Sequence, residues 1–417
     1  MFAAAGSGCR ALLHATACVV LLSLLSPAMA SVTSRSSVEA GLETYTTRHY
    51  NLFTNLEREE AVEYGKHMDI VFEEYARRFG DFRSRRGELN NFYLVRTRQD
   101  YVNLMGRMGF DASASGGMFF RGPLGSGLAT WTQGIPRERT LSVLQHEGFH
   151  QFAAQYIGPS MPVWVNEGLA VYFEQARVIN GKLKTGIAEP YRIATIRSAV
   201  EKKKEMSFSS LLNISSWQWQ EHMLSGSPLG SLQYTESWSI VYFLIHGENG
   251  KYSRAFQQYL MLLSKGRSHE QAYAQTFGEG SEPQFEERWR KFLDELEPDD
   301  FSLAMERLEF IGEGVAYYHQ KGVQIPDTIE GIRKMLTDHQ FAMSYQPSHG
   351  APKVVTRASD PEIWTYTDNR GKEHAFELAP PRRDEVLPRI IAPRLHPTPS
   401  IQFKRQDDGT LGSALVF

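Results

Sequence analysis

The segment LQHEGFHQF, residues 144–152, constrains this chain more than any other. It places His146 and His150 four positions apart, with Glu147 next to the first histidine. Residues i and i+4 of an α-helix lie on the same face, so both imidazoles can reach one metal ion. The glutamate can then reach a water on that ion. The segment therefore predicts a helix over about residues 138–156 that carries a metal site.

A zinc site needs a third protein ligand and leaves a position open for water. Glu167 is the best candidate, because a turn at Gly158-Pro159 would let a second helix run back beside the first. Gly168 would permit the two helices to approach closely. His222 and His246 are the histidines nearest in sequence, and each has a different context.

Hydrogen bonds from further residues are expected to orient the ligands of such a site. Asn166 and Glu174 are both candidates, and the sequence does not decide between them. The two cysteines, Cys9 and Cys18, lie in an N-terminal apolar segment. Any metal site in the mature chain must therefore use His, Asp or Glu.

The N-terminal segment has the pattern of a secretory signal peptide. Arg10 precedes a short apolar run that ends in Ala28-Met29-Ala30, a typical cleavage site. We expect residues 1–30 to be removed and the mature protein to be secreted, periplasmic or in the cell envelope, with no membrane span. A retained N-terminal anchor is the alternative.

The composition is that of a globular protein and excludes some partner classes. The chain has 417 residues, of which 41% are hydrophobic and 22% charged, with a net charge of −3. There is no basic excess for nucleic acid or anionic lipid. The length indicates two or three domains.

Hydrophobic periodicity predicts a mixed sheet ahead of the motif helix. The predicted order is strand, helix, strand, helix, hairpin and motif helix, after a loose leader at residues 31–45. The predicted segments are residues 49–55, 57–80, 90–97, 98–109, 116–122 with 125–132, and 138–156. Mostly helical chain follows to residue 296, and residues 297–300 are a candidate linker.

We therefore predict an α+β fold of the zincin type in three parts after the signal peptide. Residues 31–135 form a sheet subdomain and residues 136–298 a helical zinc-site subdomain, so that residues 45–298 make one peptidase domain. Residues 299–417 form a small α/β tail with a helix near residues 328–336 and proline-broken strands, and its role is open.

The stretches HEGFH (146–150) and WVNEGLA (164–170) resemble the gluzincin metallopeptidases, whose members carry H-E-x-x-H and then W-x-x-E-G-x-A. The resemblance is strongest to the peptidase-MA-like branch of secreted bacterial proteins, and covers about residues 45–296. It implies a thermolysin-like fold in which His146, His150 and Glu167 hold zinc and Glu147 is the general base. The interval between His150 and Glu167 is slightly shorter than in aminopeptidase members of the family.

The resemblance also indicates a tyrosine on a later helix that stabilises the oxyanion. Tyr234 fits the family pattern Y-x-x-x-W, whereas Tyr172 and Tyr242 lie in apolar runs and are expected to pack. An ordinary core or surface tyrosine is the alternative for Tyr234. The strand GSGLATWT is predicted to be the edge of the sheet, with Gly127, Leu128 and Ala129 contacting an extended peptide. A plain hairpin strand is the alternative.

The leading hypothesis is a secreted zinc endopeptidase that acts on peptides or proteins. A zinc aminopeptidase is the first alternative, but residues 116–120 (GGMFF) lack the acid that would anchor a substrate amine. A non-catalytic cell-envelope binding module on the same scaffold is the second. Glu147 argues against it, because a structural metal site needs no base. The oligomeric state is not predicted.

Overall fold

The computed structural model describes residues 39–79, 89–113, 115–135, 137–345, 354–368, 370–406 and 409–417. The predicted signal peptide, residues 1–30, lies outside this part of the chain. Thirteen α-helices and fifteen β-strands are present in the described residues, and the predicted α+β class is confirmed. No helix in these ranges combines the length and the apolar character needed to cross a bilayer.

The N-terminal sheet has five strands in the order β1-β2-β3-β5-β4. The central strands β2, β3 and β5 are parallel, and the outer strands β1 and β4 run antiparallel to their neighbours. Their bounds are Glu43–Thr46 (β1), Tyr50–Thr54 (β2), Asn90–Val95 (β3), Met118–Gly122 (β4) and Gly125–Trp131 (β5). A mixed sheet was predicted, but the leader prediction was wrong for β1, whose residues pair with β2.

Both faces of this sheet are covered, because the central strands are apolar at consecutive positions. Leu52, Phe92 and Leu128 belong to the main hydrophobic core. Their neighbours Phe53, Tyr93 and Ala129 belong to a second core on the opposite face. Helix α1 (Arg58–Arg78) contributes to the main core, and α2 (Arg98–Arg107) to the second core.

Helix α1 buries the predicted apolar stripe and packs on the motif helix α3 (Arg137–Phe152). The Tyr75 hydroxyl of α1 donates to the Gln145 carbonyl of α3 at 2.6 Å, one residue before His146. A Cβ at Gly148 would lie 2.8 Å from Met68 Cε, so the glycine of the motif allows this close contact. The helix continues as a π-helix, Ala153–Ile157, and ends at Gly158 with a φ of 97°.

The prediction that β5 is an edge strand is wrong. Strand β5 lies between β3 and β4, and Leu128 pairs with Phe92 on one side and Phe119 on the other. Gly127, Leu128 and Ala129 are therefore in an interior strand, and β4 is the edge. Hairpin residues show that two strands pair with each other. They do not show which of the two pairs with the rest of the sheet, and this was the reason for the error.

After α3, the chain is mostly helical up to residue 295. Helix α4 (Val163–Glu174) packs against α3 and against the long helix α8 (Pro228–Gly250). The other elements are β6 (Arg177–Ile179), β7 (Lys182–Lys184), α5 (Pro190–Glu201), α6 (Phe208–Leu212), α7 (Ser216–Leu224), α9 (Ser253–Ser264), α10 (His269–Phe277) and α11 (Glu282–Glu295).

The C-terminal residues have a separate hydrophobic cluster, which includes Ile187 from the preceding part. Its central element is α12 (Asp300–Gln320), a helix that the sequence analysis missed. Asp299, predicted as part of a linker, accepts a hydrogen bond from Ser302 N and caps this helix. The remaining elements are α13 (Ile329–Asp338), β8 (Ala342–Tyr345), β9 (Val354–Arg357), β10 (Thr365–Thr367), β11 (Glu373–Ala375), β12 (Glu377–Ala379), β13 (Arg389–Ile391), β14 (Ser400–Arg405) and β15 (Leu411–Val416). The division into domains stays a prediction.

Candidate metal centre

Helices α3 and α4 bring the three predicted ligands together. His146 Nε2 and His150 Nε2 each lie 3.4 Å from the same oxygen, Glu167 Oε2. One ligand atom from each of the three residues falls within 4.8 Å of the others. All three side chains are buried, with exposures of 0% for His146, 2% for His150 and 1% for Glu167. The group can hold a metal ion.

Several ring nitrogens and a carboxylate oxygen of this group lack hydrogen-bond partners, which is also consistent with a metal site. His146 Nε2, His150 Nδ1, His150 Nε2 and Glu167 Oε2 are buried and have no hydrogen-bond partner among the described residues. Leaving a buried polar atom unpaired costs on the order of 1–3 kcal/mol, so a cluster of such atoms needs an explanation. A cation between two imidazoles and a carboxylate would satisfy three of these four atoms at once.

The short distances within this group shift the pKa values of His146 and Glu167 in opposite directions. Burial disfavours the charged form of His146, but the Glu167 and Glu174 carboxylates outweigh burial and raise the pKa of His146 to about 10. Burial also raises the pKa of Glu167, and the two imidazoles outweigh it and lower that pKa to about 2. Without a metal, a proton on His146 thus offsets the Glu167 charge. A metal ion must displace this proton.

Glu174, one of the two candidates for supporting the ligands, is the residue that contacts them. Its Oε2 lies 3.1 Å from His146 Nδ1, the ring nitrogen directed away from Glu167. Its Oε1 lies 3.0 Å from Arg139 Nη1 and 3.3 Å from Arg192 Nη2. Burial raises the pKa of Glu174, but the neighbouring cations lower it well below its usual range. The carboxylate stays charged and fixes the His146 ring.

Gly168 allows close helix packing as predicted, but the partner is α8 and not the motif helix α3. A Cβ at this position would lie 2.5 Å from the Ser237 carbonyl oxygen of α8 and 2.7 Å from Val241 Cγ2. Helix α4 is therefore in backbone contact with α8, directly beside Glu167. The third ligand therefore lies next to a contact that leaves no room for a side chain.

Glu147 is fully buried, and its carboxylate reaches the edge strand of the sheet. The backbone N–H of Phe119 in β4 donates to Glu147 Oε2 at 2.7 Å. This N–H therefore points away from β5, towards the free edge of the sheet. Hydrogen-bonding direction alternates along a strand, so the backbone groups of Arg121, two residues further on, point the same way. Phe119 was not among the predicted site residues, since only the strand order brings β4 beside α3.

Tyr234 lies close to the metal group, whereas His222 and His246 have other partners. The Tyr234 ring centroid is 6.4 Å from that of His146, and the Trp219 ring contacts Tyr234 edge-on at 5.0 Å. His222 Nδ1 is 3.0 Å from Gln233 Oε1, and His246 Nε2 is 3.0 Å from the Tyr172 hydroxyl. Neither histidine belongs to the group. The role of Tyr234 in catalysis stays a prediction.

Comparison with known proteins gives a family match over part of the chain. Residues 140–265 match the model of a family described as protein of unknown function (DUF1570). The match begins inside α3 and ends after α9, and it includes His146, His150 and Glu167. No curated protein matches the sequence. The chain is thus similar to this family over the segment that carries the metal group.

Proposed function

We propose that this protein is a secreted, zinc-dependent metallopeptidase that cleaves peptide bonds with Glu147 as the general base. One observation carries the proposal. The buried group that can hold a metal consists of His146, His150 and Glu167, and its potential metal-ligating atoms lack hydrogen-bond partners. The buried Glu147 carboxylate lies beside this group and is not needed as a ligand. A purely structural metal site would be complete without Glu147.

His146, His150 and Glu167 would hold the zinc ion. Two imidazoles and a glutamate are a common ligand set of catalytic zinc, which keeps a fourth position open. Zinc bound there would polarise the substrate carbonyl and lower the pKa of a water molecule. Glu174 supports the arrangement, because it fixes the His146 ring through Nδ1 and keeps Nε2 directed at the site.

Glu147 would take the proton of the attacking water and later deliver it to the leaving amine. The hydrogen bond from Phe119 N holds one carboxylate oxygen in place, so the side chain keeps its orientation between the two steps. The burial of Glu147 keeps bulk water from competing for this proton. Tyr234, whose ring lies near that of His146, would donate a hydrogen bond from its hydroxyl to the oxyanion.

The substrate would bind as an extended strand along β4. This strand is the edge of the sheet next to α3, and the backbone groups of Phe119 and Arg121 face outwards. An extended peptide can pair with such an edge through its main chain, which orients an internal peptide bond. An open edge of this kind, with no acid at residues 116–120, favours an endopeptidase over an aminopeptidase.

The test uses mature protein, residues 31–417, and reads metal and hydrolysis separately. Wild type should contain about one zinc per chain, and His150→Ala should contain none. His222→Ala is the matched control, because His222 contacts Gln233 outside the group, and its zinc content should be unchanged. Glu147→Gln should retain zinc and lose cleavage of an unbiased peptide library.

Each result bears on a different part of the proposal. Absence of zinc from wild type, or its retention in His150→Ala, would refute the metal site. Near wild-type cleavage by Glu147→Gln would mean that the base is another residue. Cleavage only at the first residue of each peptide would establish the aminopeptidase alternative. Bound zinc with no peptide cleaved would support a non-catalytic binding module.

A further inference from the structure

A groove of about 750 Å³ begins at the same edge strand. It lies between the first residues of β2, β3 and β5, the end of β4, and the π-helix that follows α3. Its volume is within the ~300–1,000 Å³ of ligand pockets. Phe119, which binds Glu147 through its backbone, is one of its lining residues. The groove is therefore adjacent to the proposed general base.

The walls of the groove are rich in hydrogen-bonding groups, and the described lining residues carry a net positive charge. Five side-chain amides line it: Asn51, Asn90, Asn91, Gln151 and Gln155. Arg121 is the single ionisable residue among the described residues that line the groove. Its Nη2 donates to the Ala154 carbonyl at 3.3 Å, which leaves other N–H donors of the exposed guanidinium for a ligand. The helix end contributes about half a negative charge, less than the unit charge of the arginine.

Gln151 supplies an independent indication of a ligand. The residue is 4% exposed, and its Nε2 donates to the Asn91 carbonyl at 3.0 Å. A carbonyl can only accept, so this bond determines which end of the amide is nitrogen. The other end, Oε1, is buried and has no hydrogen-bond partner among the described residues. Because Gln151 is a lining residue of the groove, an N–H or O–H of a bound molecule can supply the donor that this oxygen lacks.

We infer that this groove binds an extended segment of the peptide substrate and selects an acidic side chain through Arg121. The inference rests on the proposed function for the identity of the ligand. A peptide along β4 directs alternate side chains to the same face of the sheet, the face on which Phe119 and Arg121 line the groove. A carboxylate there meets Arg121, the one cation that the described part of the chain contributes to the groove. Backbone N–H groups of the peptide can supply the donor that Gln151 lacks.

The experiment measures binding, so it does not depend on hydrolysis. Fluorescence anisotropy is recorded for Glu147→Gln protein and a labelled alanine-based peptide that carries one Glu, with matched Gln and Lys peptides. The Glu peptide should bind about threefold to fivefold more tightly than the Gln peptide, as expected for a solvent-exposed ion pair. Arg121→Gln should remove this preference, and Arg121→Glu should transfer it to the Lys peptide. The preference should decrease as salt is added.

Arg107→Gln is the matched control, because it removes the same charge from α2, which packs on the opposite face of the sheet. It should keep the preference for Glu. Equal binding of Glu and Gln peptides, or a preference that survives Arg121→Gln, would overturn the inference. Binding of an oligosaccharide in place of all three peptides would also overturn it. Protein that holds no zinc but shows the Arg121-dependent preference would refute only the peptidase proposal.

Discussion

Replacing Gly168 with alanine tests whether the contact between α4 and α8 positions the metal group. In an exposed helix this change stabilises by about 1 kcal/mol, because glycine is a poor helix former. Here the added Cβ would meet the Ser237 carbonyl oxygen at 2.5 Å, and that atom belongs to the backbone of α8. No side-chain rotation can relieve the contact. The two helices must therefore separate by roughly 1 Å to reach an ordinary van der Waals distance.

Two effects follow from a displacement of this size. Overpacking of a closely packed core costs about 1–3 kcal/mol, which equals or exceeds the gain of about 1 kcal/mol in helix propensity. Glu167 precedes the substituted residue, and metal–ligand distances tolerate only about 0.2 Å. We therefore expect Gly168→Ala to lower the free energy of unfolding by up to about 2 kcal/mol. We also expect zinc affinity to decrease by about 10- to 100-fold.

The assays are urea unfolding of metal-free protein and competition for zinc with a chromophoric chelator. Gly106→Ala is the matched control, because Gly106 is also helical and nothing lies within 4 Å of its Cβ position. This variant should be as stable as wild type or slightly more stable, with unchanged zinc affinity. If Gly168→Ala behaves like Gly106→Ala in both assays, the reasoning from helix contact to ligand position is refuted.

Three further substitutions test other features of the site and its surroundings. Glu174→Gln removes the charge that faces His146, so zinc affinity should fall by about 10- to 100-fold in the chelator competition; unchanged affinity would contradict this. Tyr234→Phe should reduce kcat by about 100- to 1,000-fold with zinc content and KM unchanged, and an unaffected kcat would make Tyr234 a packing residue. Burial raises the pKa of Glu236 from 4.5 to about 8 in the folded protein. The stability that the protonated Glu236 contributes is therefore complete below pH 4.5 and is lost as the pH rises through about 8. Glu236→Gln should therefore make stability less dependent on pH over that interval in urea unfolding, and an unchanged dependence would show that Glu236 is not the group responsible.

Local patterns were sufficient for the elements around the site. The apolar spacing of α1 and the i, i+4 spacing of His146 and His150 depend only on the helical repeat, which is the same in every protein. The capped start of α12 was readable from Asp299 as well, but it was interpreted as a linker. An acidic residue in a linker and an acidic residue that caps a helix, as Asp299 does, cannot be distinguished from the sequence alone.

Contacts between distant segments were not readable in the same way. The sequence contained the hairpin of β4 and β5, but the choice of β5 as the neighbour of β3 places β4 at the edge and Phe119 against Glu147. Likewise, Glu174 in α4 pairs with Arg139 from α3 and with Arg192 from α5. No sequence pattern connects either arginine to α4.

The sequence by itself determined the two imidazoles on one helical face, the carboxylate between them and the small residue after Glu167, because these depend on chemistry and on the helical repeat. Only the tertiary structure decided which strand faces the site, which residues charge-balance Glu174 and where the Arg121 groove lies. These arise from packing free energies summed over many residues far apart in the chain, and no local window of sequence contains them.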